Sequence, residues 1–183
     1  EAVRRLVAEG LVETQPGRGT FVAGRVDKSF SKLSSFSEDM VARGRVPSSR
    51  WISRSIGAVT PEESMALGLS PGSPVLRFNR IRLADDEPMA LEFSTLAAGA
   101  LASIDDVGDS LYVALDAANH RPVRALQRLR AVPLGSQHAK MLGVDTGHPV
   151  LLIERRGFLP DGKVVEFTRS YYRGDAYDFV AEL

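Results

Sequence analysis

Arg80 and Arg82 stand two residues apart in the run from Val75 to Leu83. In an extended strand alternate residues share a face, so Leu76, Phe78, Arg80 and Arg82 line one side, while Val75, Arg77, Asn79, Ile81 and Leu83 line the other. Two guanidiniums that continue a face begun by Leu and Phe sit at the rim of a core and need anionic partners to offset their desolvation. A planar, permanently charged donor fork is the group that holds a phosphate or carboxylate well. Further along, Ala90, Glu92 and Ser94 share a face, as do Glu166, Thr168, Ser170 and Tyr172. Glu92 and Glu166 could accept hydrogen bonds from the hydroxyls or an amine of a ligand. Ser110 and Tyr112 could donate from the start of a helix, where the dipole favours an anion. An alternative stays open on these residues alone: Arg80 with Glu92, and Arg82 with Glu166, as plain cross-strand ion pairs on a wet face.

Other chemistries find little here. The chain has no Cys, hence no thiolate nucleophile, disulfide framework or Cys-based zinc site. His120, His138 and His148 are too few and too scattered for a metal site, and no cofactor is expected. Ser110 has no nearby base of the kind nucleophilic catalysis requires, so no catalytic residue is assigned. Asp85-Asp86 and Asp105-Asp106 read as turn and loop residues, and Trp51 as core or interface.

The elements that must position these groups follow from local pattern. With 183 residues, 44% apolar and 25% charged, the chain should fold around a core of its own. Its 23 basic and 23 acidic residues cancel, which argues against a nucleic-acid coat over the whole surface. The balance hides a gradient: residues 1–60 carry ten basic against six acidic groups, and residues 61–183 carry 13 against 17. No apolar run approaches a membrane span and no signal peptide is visible, so a cytoplasmic chain with no membrane partner is expected.

Residues 1–9 read as a helix closed by Gly10, with no N-cap and no initiator Met, so further residues are expected upstream. Leu11–Thr14 and Thr20–Val22 flank the Pro/Gly loop 15–19, a hairpin signal. A polar linker follows to about residue 34. Ser35 with Glu38, and Thr60 with Glu63, form capping boxes opening short helices that end at Gly44 and near Gly68. Strands are expected over 75–84 and 88–96 around the turn Asp85-Asp86-Glu87, and over 121–133, 149–159 and 163–173. Helices are expected over 110–117, capped by Asp109, and over 134–142. No tandem repeat stands out, although the two hairpins are alike. This alternation predicts an α+β fold on a mostly antiparallel sheet with short helices.

Two stretches resemble known families. Arg4-Arg5-Leu6-Val7-Ala8-Glu9-Gly10-Leu11-Val12 followed by Pro16-Gly17-Arg18-Gly19-Thr20-Phe21-Val22-Ala23 resembles the end of the winged helix-turn-helix of the GntR family of bacterial transcription regulators. That resemblance implies DNA contacts from Arg4, Gly17, Arg18, Gly19 and Thr20. Residues 33–47, Arg80–Ala84 with Glu87–Ala90 and Glu92, Ser110-Leu111-Tyr112, Gly147–Leu151, and Val165-Glu166 with Tyr172–Tyr177 resemble the UTRA effector-binding domain of the HutC-type branch of that family. Such domains share the chorismate-lyase-like fold and bind small effectors, often phosphorylated sugars.

Carried over by position, the resemblance implies that Arg80, Arg82, Ser110 and Tyr112 hold an anionic group. Glu92, Glu166 and Tyr172 hold the polar body, and Ser35, Phe36 and Ser37 close the pocket. It implies a winged-helix remnant over 1–24, a linker over 25–34 and a UTRA domain over 35–183. The expected function is an effector-responsive regulator, typically a repressor, acting as a homodimer on operator DNA through the full-length protein. The alternative is a chorismate-lyase-like enzyme on the same fold, since two arginines hold a dicarboxylate as readily as a phosphate.

Overall fold

Backbone hydrogen bonding left open at strand edges is satisfied by one large sheet and two small ones in the computed structural model, which describes residues 33–180 together with Val3 and the segments 12–15, 19–22 and 26–29. The helix expected over residues 1–9 lies outside the described residues apart from Val3, as do Arg4, Gly17 and Arg18. Strands β1 (Val12–Gln15) and β2 (Gly19–Val22) pair antiparallel, the expected hairpin, and Gly19 and Thr20 open its second strand.

The large sheet is antiparallel throughout, in the order β4-β5-β6-β9-β8-β7. Its strands are β4 (Pro47–Ala58), β5 (Pro74–Ala84), β6 (Glu87–Ala97), β7 (Arg124–Pro133), β8 (Pro149–Phe158) and β9 (Val164–Arg173). The turn from β5 to β6 places Asp85 and Asp86 at φ 51° and 65°, the left-handed pair that a tight hairpin needs for its twist to match the strands. Four α-helices accompany the sheet among the described residues, α1 (Phe36–Ala42), α2 (Pro61–Leu67), α3 (Leu111–Ala117) and α4 (Ser136–Leu142), with a short 3-10 helix at Ile104–Asp106. Both expected capping boxes are formed in full, by Ser35 with Glu38 and by Thr60 with Glu63. No helix among the described residues is long and apolar enough to cross a membrane.

The sheet contains a repeat that sequence reading did not expect. The order β4-α2-β5-β6 recurs as β7-α4-β8-β9, and the two halves meet at β6 and β9. Leu67-Gly68-Leu69-Ser70-Pro71-Gly72-Ser73-Pro74-Val75-Leu76 matches Leu142-Gly143-Val144-Asp145-Thr146-Gly147-His148-Pro149-Val150-Leu151 at a constant offset. The same two glycines take left-handed backbone in each half, at φ 67° and 82° and at φ 69° and 84°. Few other side chains are shared, which is why the repeat hides in the sequence.

The two sheet faces differ. On one, α2 and α4 lie over an apolar layer that includes Val75, Ile81, Leu91, Val150 and Phe167. On the other, α3 packs at one end against Leu76, Phe78 and Leu96, and α1 at the opposite end against Ala84, Ala90 and Tyr172. The gap between α1 and α3 leaves the middle of that face uncovered by helix.

Several expectations needed correction. Strand β4 was not anticipated: its Ser and Arg residues show no clean alternation, and it is held as a sheet edge by backbone pairing with β5. Ser110, not Asp109, caps α3, accepting from the Val113 N–H at 3.4 Å. Strand β7 begins at Arg124 rather than Arg121, because Pro122 has no N–H for the ladder. Within the expected linker, β3 (Val26–Ser29) pairs in parallel with β10 (Tyr177–Val180), a long-range contact that local sequence does not announce. Trp51 is half-buried and lies against Phe78, with Arg54 stacked on its ring at 3.9 Å.

Candidate functional site

Register brings the charged residues onto one face. Across the four central strands Arg80, Glu92, Ser170 and Ile153 form a row. Phe78, Ser94, Thr168 and Arg155 form the next, and Leu76, Leu96, Glu166 and Gly157 the one after. These rows floor a cleft of about 470 Å³, its open mouth included, between α1 and α3. Ser35, Phe36, Ser37, Arg80, Arg82, Glu92, Ser110, Tyr112, Glu166 and Tyr172 all line it. The structure thus brings together the ten residues singled out for an effector. It adds Arg155, which sequence reading passed over, and Ser94, Thr168 and Ser170, which parity had placed on these faces without a role.

The two arginines of β5 have different surroundings. Arg80 pairs with Glu92, its Nε and Nη2 at 2.7 and 2.6 Å from Oε1, so one of the cross-strand pairs left open above is present. The Arg82–Glu166 pair is not. Arg82 lies in the row of Ala90 and Tyr172, six residues along β9 from Glu166, about 20 Å at the strand rise. Its Nη1 donates to Ser49 Oγ at 2.5 Å and to the Asp109 carbonyl at 2.8 Å, and its Nη2 to Ser37 Oγ at 2.7 Å. All of these acceptors are neutral. Its Nε has no partner, although the side chain is buried, and among the described residues no carboxylate forms an ion pair with it. Phe36 covers the guanidinium at 4.7 Å from its ring centre. Burial, and then the neighbouring charge of Arg80, pull the Arg82 pKa down to about 10.

At the α3 end Glu166 accepts from the Tyr112 hydroxyl at 2.9 Å. Thr168 Oγ1 lies 2.6 Å from Glu166 and 2.9 Å from Ser94 Oγ, so Thr168 donates to the carboxylate and Ser94 donates to Thr168. Gly157 leaves the space Glu166 occupies: a Cβ there would lie 2.8 Å from Oε2. Arg155 makes only long contacts, to the Tyr112 hydroxyl at 3.3 Å and to Ser34 O and Gln127 Oε1 at 3.4 Å. Burial opposes its charge, but Tyr112 and Glu166 outweigh it and hold its pKa above the usual range. Burial likewise opposes ionisation of Glu92, and Arg80 and Arg82 prevail, keeping it a carboxylate. The signal that could have found Arg155 is the internal repeat, because it sits at the same offset from Arg80 that relates the two glycine-proline segments.

The wall formed by residues 34–38 is tied down by arginines from three places. Arg82 reaches Ser37, Arg155 reaches the Ser34 carbonyl, and Arg121 pairs with Glu38 at 2.7 Å. Outside the cleft, His138 lies between the rings of Phe93 and Tyr171, and His148 is 3.1 Å from Asp175. Among the described residues there is no cluster of three or more His, Asp or Glu side chains arranged to hold a metal. Three guanidiniums face two carboxylates in a cleft rich in hydroxyls, which leaves an excess of positive charge at the Arg82 end and hydrogen-bond acceptors at Glu92 and Glu166.

Comparison with known proteins gives a consistent picture. The family model described as the UTRA domain matches residues 42–178. The HTH-type transcriptional repressor NagR of Bacillus subtilis (strain 168) is 37% identical over 184 residues, covering 98% of this chain and 76% of that protein. The crystal structure of PhnF from Mycobacterium smegmatis superimposes with a TM-score of 0.83 at 26% identity, over 100% of this chain and 82% of that one. A GntR-family transcriptional regulator from Enterococcus faecalis V583 matches with a TM-score of 0.68 at 27% identity, over 74% of this chain and 100% of that one.

Proposed function

Because the chain belongs to the GntR family of transcription regulators that carry a UTRA domain, we propose that the cleft between α1 and α3 is its effector site and that the effector is a small phosphate-bearing metabolite such as a sugar phosphate. The observation that carries this reading is Arg82, a buried guanidinium at 1% exposure with neutral acceptors only and a free Nε, on the wall of an accessible cleft. A buried cation of this kind is destabilising unless something anionic completes it. A phosphate does so bidentately.

In this reading Arg80, Arg82, Ser110 and Tyr112 hold the anion. Glu92, Glu166 and Tyr172 hold the sugar, with Ser35, Phe36 and Ser37 as the closing wall. Residues 1–24 contribute to operator binding through Arg4 and the Gly17–Thr20 wing, 25–34 link, and 35–183 sense, in a homodimer. Ligand that favours one arrangement of the dimer shifts operator affinity. NagR and the Enterococcus faecalis protein are described as transcription regulators, and the chorismate-lyase-like alternative draws no support from them.

Thermal unfolding with glucosamine 6-phosphate, glucose 6-phosphate, inorganic phosphate and unphosphorylated glucosamine tests the proposal. A ligand at about 100 times its Kd should add about 2.7 kcal/mol of apparent stability. The phosphorylated sugars are expected to stabilise the wild type and to lose that effect in Arg80→Ala and Arg82→Ala. Equal stabilisation by unphosphorylated glucosamine would overturn the reading.

A further inference from the structure

Tyr172 lines the effector cleft, and its other side is the start of a packed aromatic line leading out of it. Its ring lies 4.4 Å from that of Tyr177 and 5.7 Å, edge-on, from that of Phe179, and the latter two are 5.1 Å apart. Tyr177 and Phe179 alternate on β10, whose backbone pairs in parallel with β3, Tyr177 opposite Val26 and Phe179 opposite Lys28. A second line leaves the cleft through its wall. Ser37, which touches Arg82, is two residues from Asp39 on α1. Asp39 is buried and accepts from Ser34 Oγ at 2.5 Å and from the Tyr177 hydroxyl at 3.4 Å. Ser34 in turn lies five residues beyond the end of β3.

We infer that Asp39, Ser34 and Tyr177 act as positioning residues that couple occupancy of the cleft to the β3–β10 pair. The inference rests on the effector reading above. Asp39 is the point where both lines meet: it joins the chain leaving β3, the helix carrying the cleft wall, and the strand paired with β3. A ligand on Arg82 and Tyr172 fixes the 34–37 segment and the Tyr172 ring together. Both carry that constraint to Tyr177, and β3 opens from β10 less often. In sequence, β3 follows the hairpin β1–β2.

Amide hydrogen exchange on this chain, with and without saturating glucosamine 6-phosphate, reads the coupling. Ligand is expected to slow exchange over 26–29 and 177–180 by ~3-fold or more. In Tyr177→Phe, which removes only the hydroxyl, and in Ser34→Ala, that slowing should fall by at least about half, and in Tyr177→Phe, outside the cleft lining, calorimetric affinity for the sugar phosphate should stay within ~3-fold. Exchange over β5 and β9 serves as the check that each variant is folded. Ligand that binds wild type yet leaves exchange at 26–29 and 177–180 unchanged overturns the relay and leaves the effector site standing, as does full slowing retained in both variants. A wild type that binds none of the sugar phosphates by calorimetry overturns the effector reading, and the relay with it.

Discussion

Strand β5 sends arginines to both faces of the sheet, and the two sites they build are opposites. On the helix-covered face Arg77 meets Glu63 in a two-pronged pair, Nε to Oε1 at 2.7 Å and Nη2 to Oε2 at 2.6 Å, and Nη2 also donates to the Ala58 carbonyl at 2.6 Å. Glu63 further accepts from the Thr60 N–H at 2.8 Å and from Thr95 Oγ1 at 3.0 Å. One cation and one anion cancel, and each carboxylate oxygen is satisfied. On the cleft face three arginines meet two glutamates, and Arg82 has a buried nitrogen with no acceptor. A closed set of charges is what a scaffold needs. A set with one cation left over is what a receptor for an anion needs, and it costs stability while empty.

The sharpest way to break this contrast is to open the closed site. Glu63→Ala strands Arg77 and removes the reciprocal cap of α2, and is expected to cost about 3–5 kcal/mol in urea unfolding while leaving sugar-phosphate affinity unchanged by calorimetry. Acid should act on the same group. Hydrogen bonding from Arg77 leads the causes that bring the Glu63 pKa down to about 2 from its ordinary 4.5. A folded-state pKa below the unfolded one gives stability that is present above pH 4.5 and is lost as pH falls through that value toward 2. The loss should be on the order of 3 kcal/mol, and unfolding curves of Glu63→Gln across this window should be correspondingly flatter.

Closing the open site is the next test. Arg82 has its pKa lowered in the folded state, the reverse of a stabilised cation, so its charge opposes folding throughout the neutral range and the opposition eases only as pH rises past about 10. Arg82→Met fills similar space without charge. It is expected to stabilise the ligand-free protein by about 1–2 kcal/mol and to weaken sugar-phosphate binding by ~30–100-fold, about 2–3 kcal/mol. Loss of stability together with loss of binding would mean Arg82 belongs to the scaffold after all.

The same contrast marks what the sequence could disclose. Parity alone placed Arg80, Arg82, Glu92 and Glu166 on cleft-side faces, because a two-residue period is a local property. It could not distinguish Arg80, which found Glu92 directly opposite, from Arg82, whose proposed partner lies about 20 Å along the sheet; that depends on register between distant strands. The capping boxes at Ser35 and Thr60 were legible for the same local reason. Strand β4 was not, since an edge strand of Ser and Arg carries no apolar period and exists through its neighbour. Nor were the β3–β10 pairing or the bond from Arg155 to the Ser34 carbonyl, each of which joins residues over a hundred positions apart.

The smallest expected effects come from two glycines that stand in equivalent relation to the two sites. A Cβ on Gly57 would lie 2.8 Å from Arg77 Nη1, and one on Gly157 would lie 2.8 Å from both Glu166 Oε2 and Pro122 Cγ. Neither glycine has left-handed backbone, so alanine gains about 0.4–1 kcal/mol from the less flexible unfolded chain at each. At Gly57 the crowded atom is the end of a long side chain that already has other bonds to hold it, and it can shift by a few tenths of an ångström. Gly57→Ala should therefore be near neutral in stability and silent in binding. At Gly157 the new methyl is squeezed from two sides, by a proline ring that cannot yield and by a carboxylate held by Tyr112 and Thr168. Gly157→Ala should cost about 1–2 kcal/mol and, by displacing Glu166, weaken sugar-phosphate binding several-fold in the same calorimetric titration. If Gly157→Ala left affinity untouched while lowering stability, Glu166 would be a scaffold group like Glu63, and the polar half of the cleft would have to be reassigned to Glu92 and Arg155.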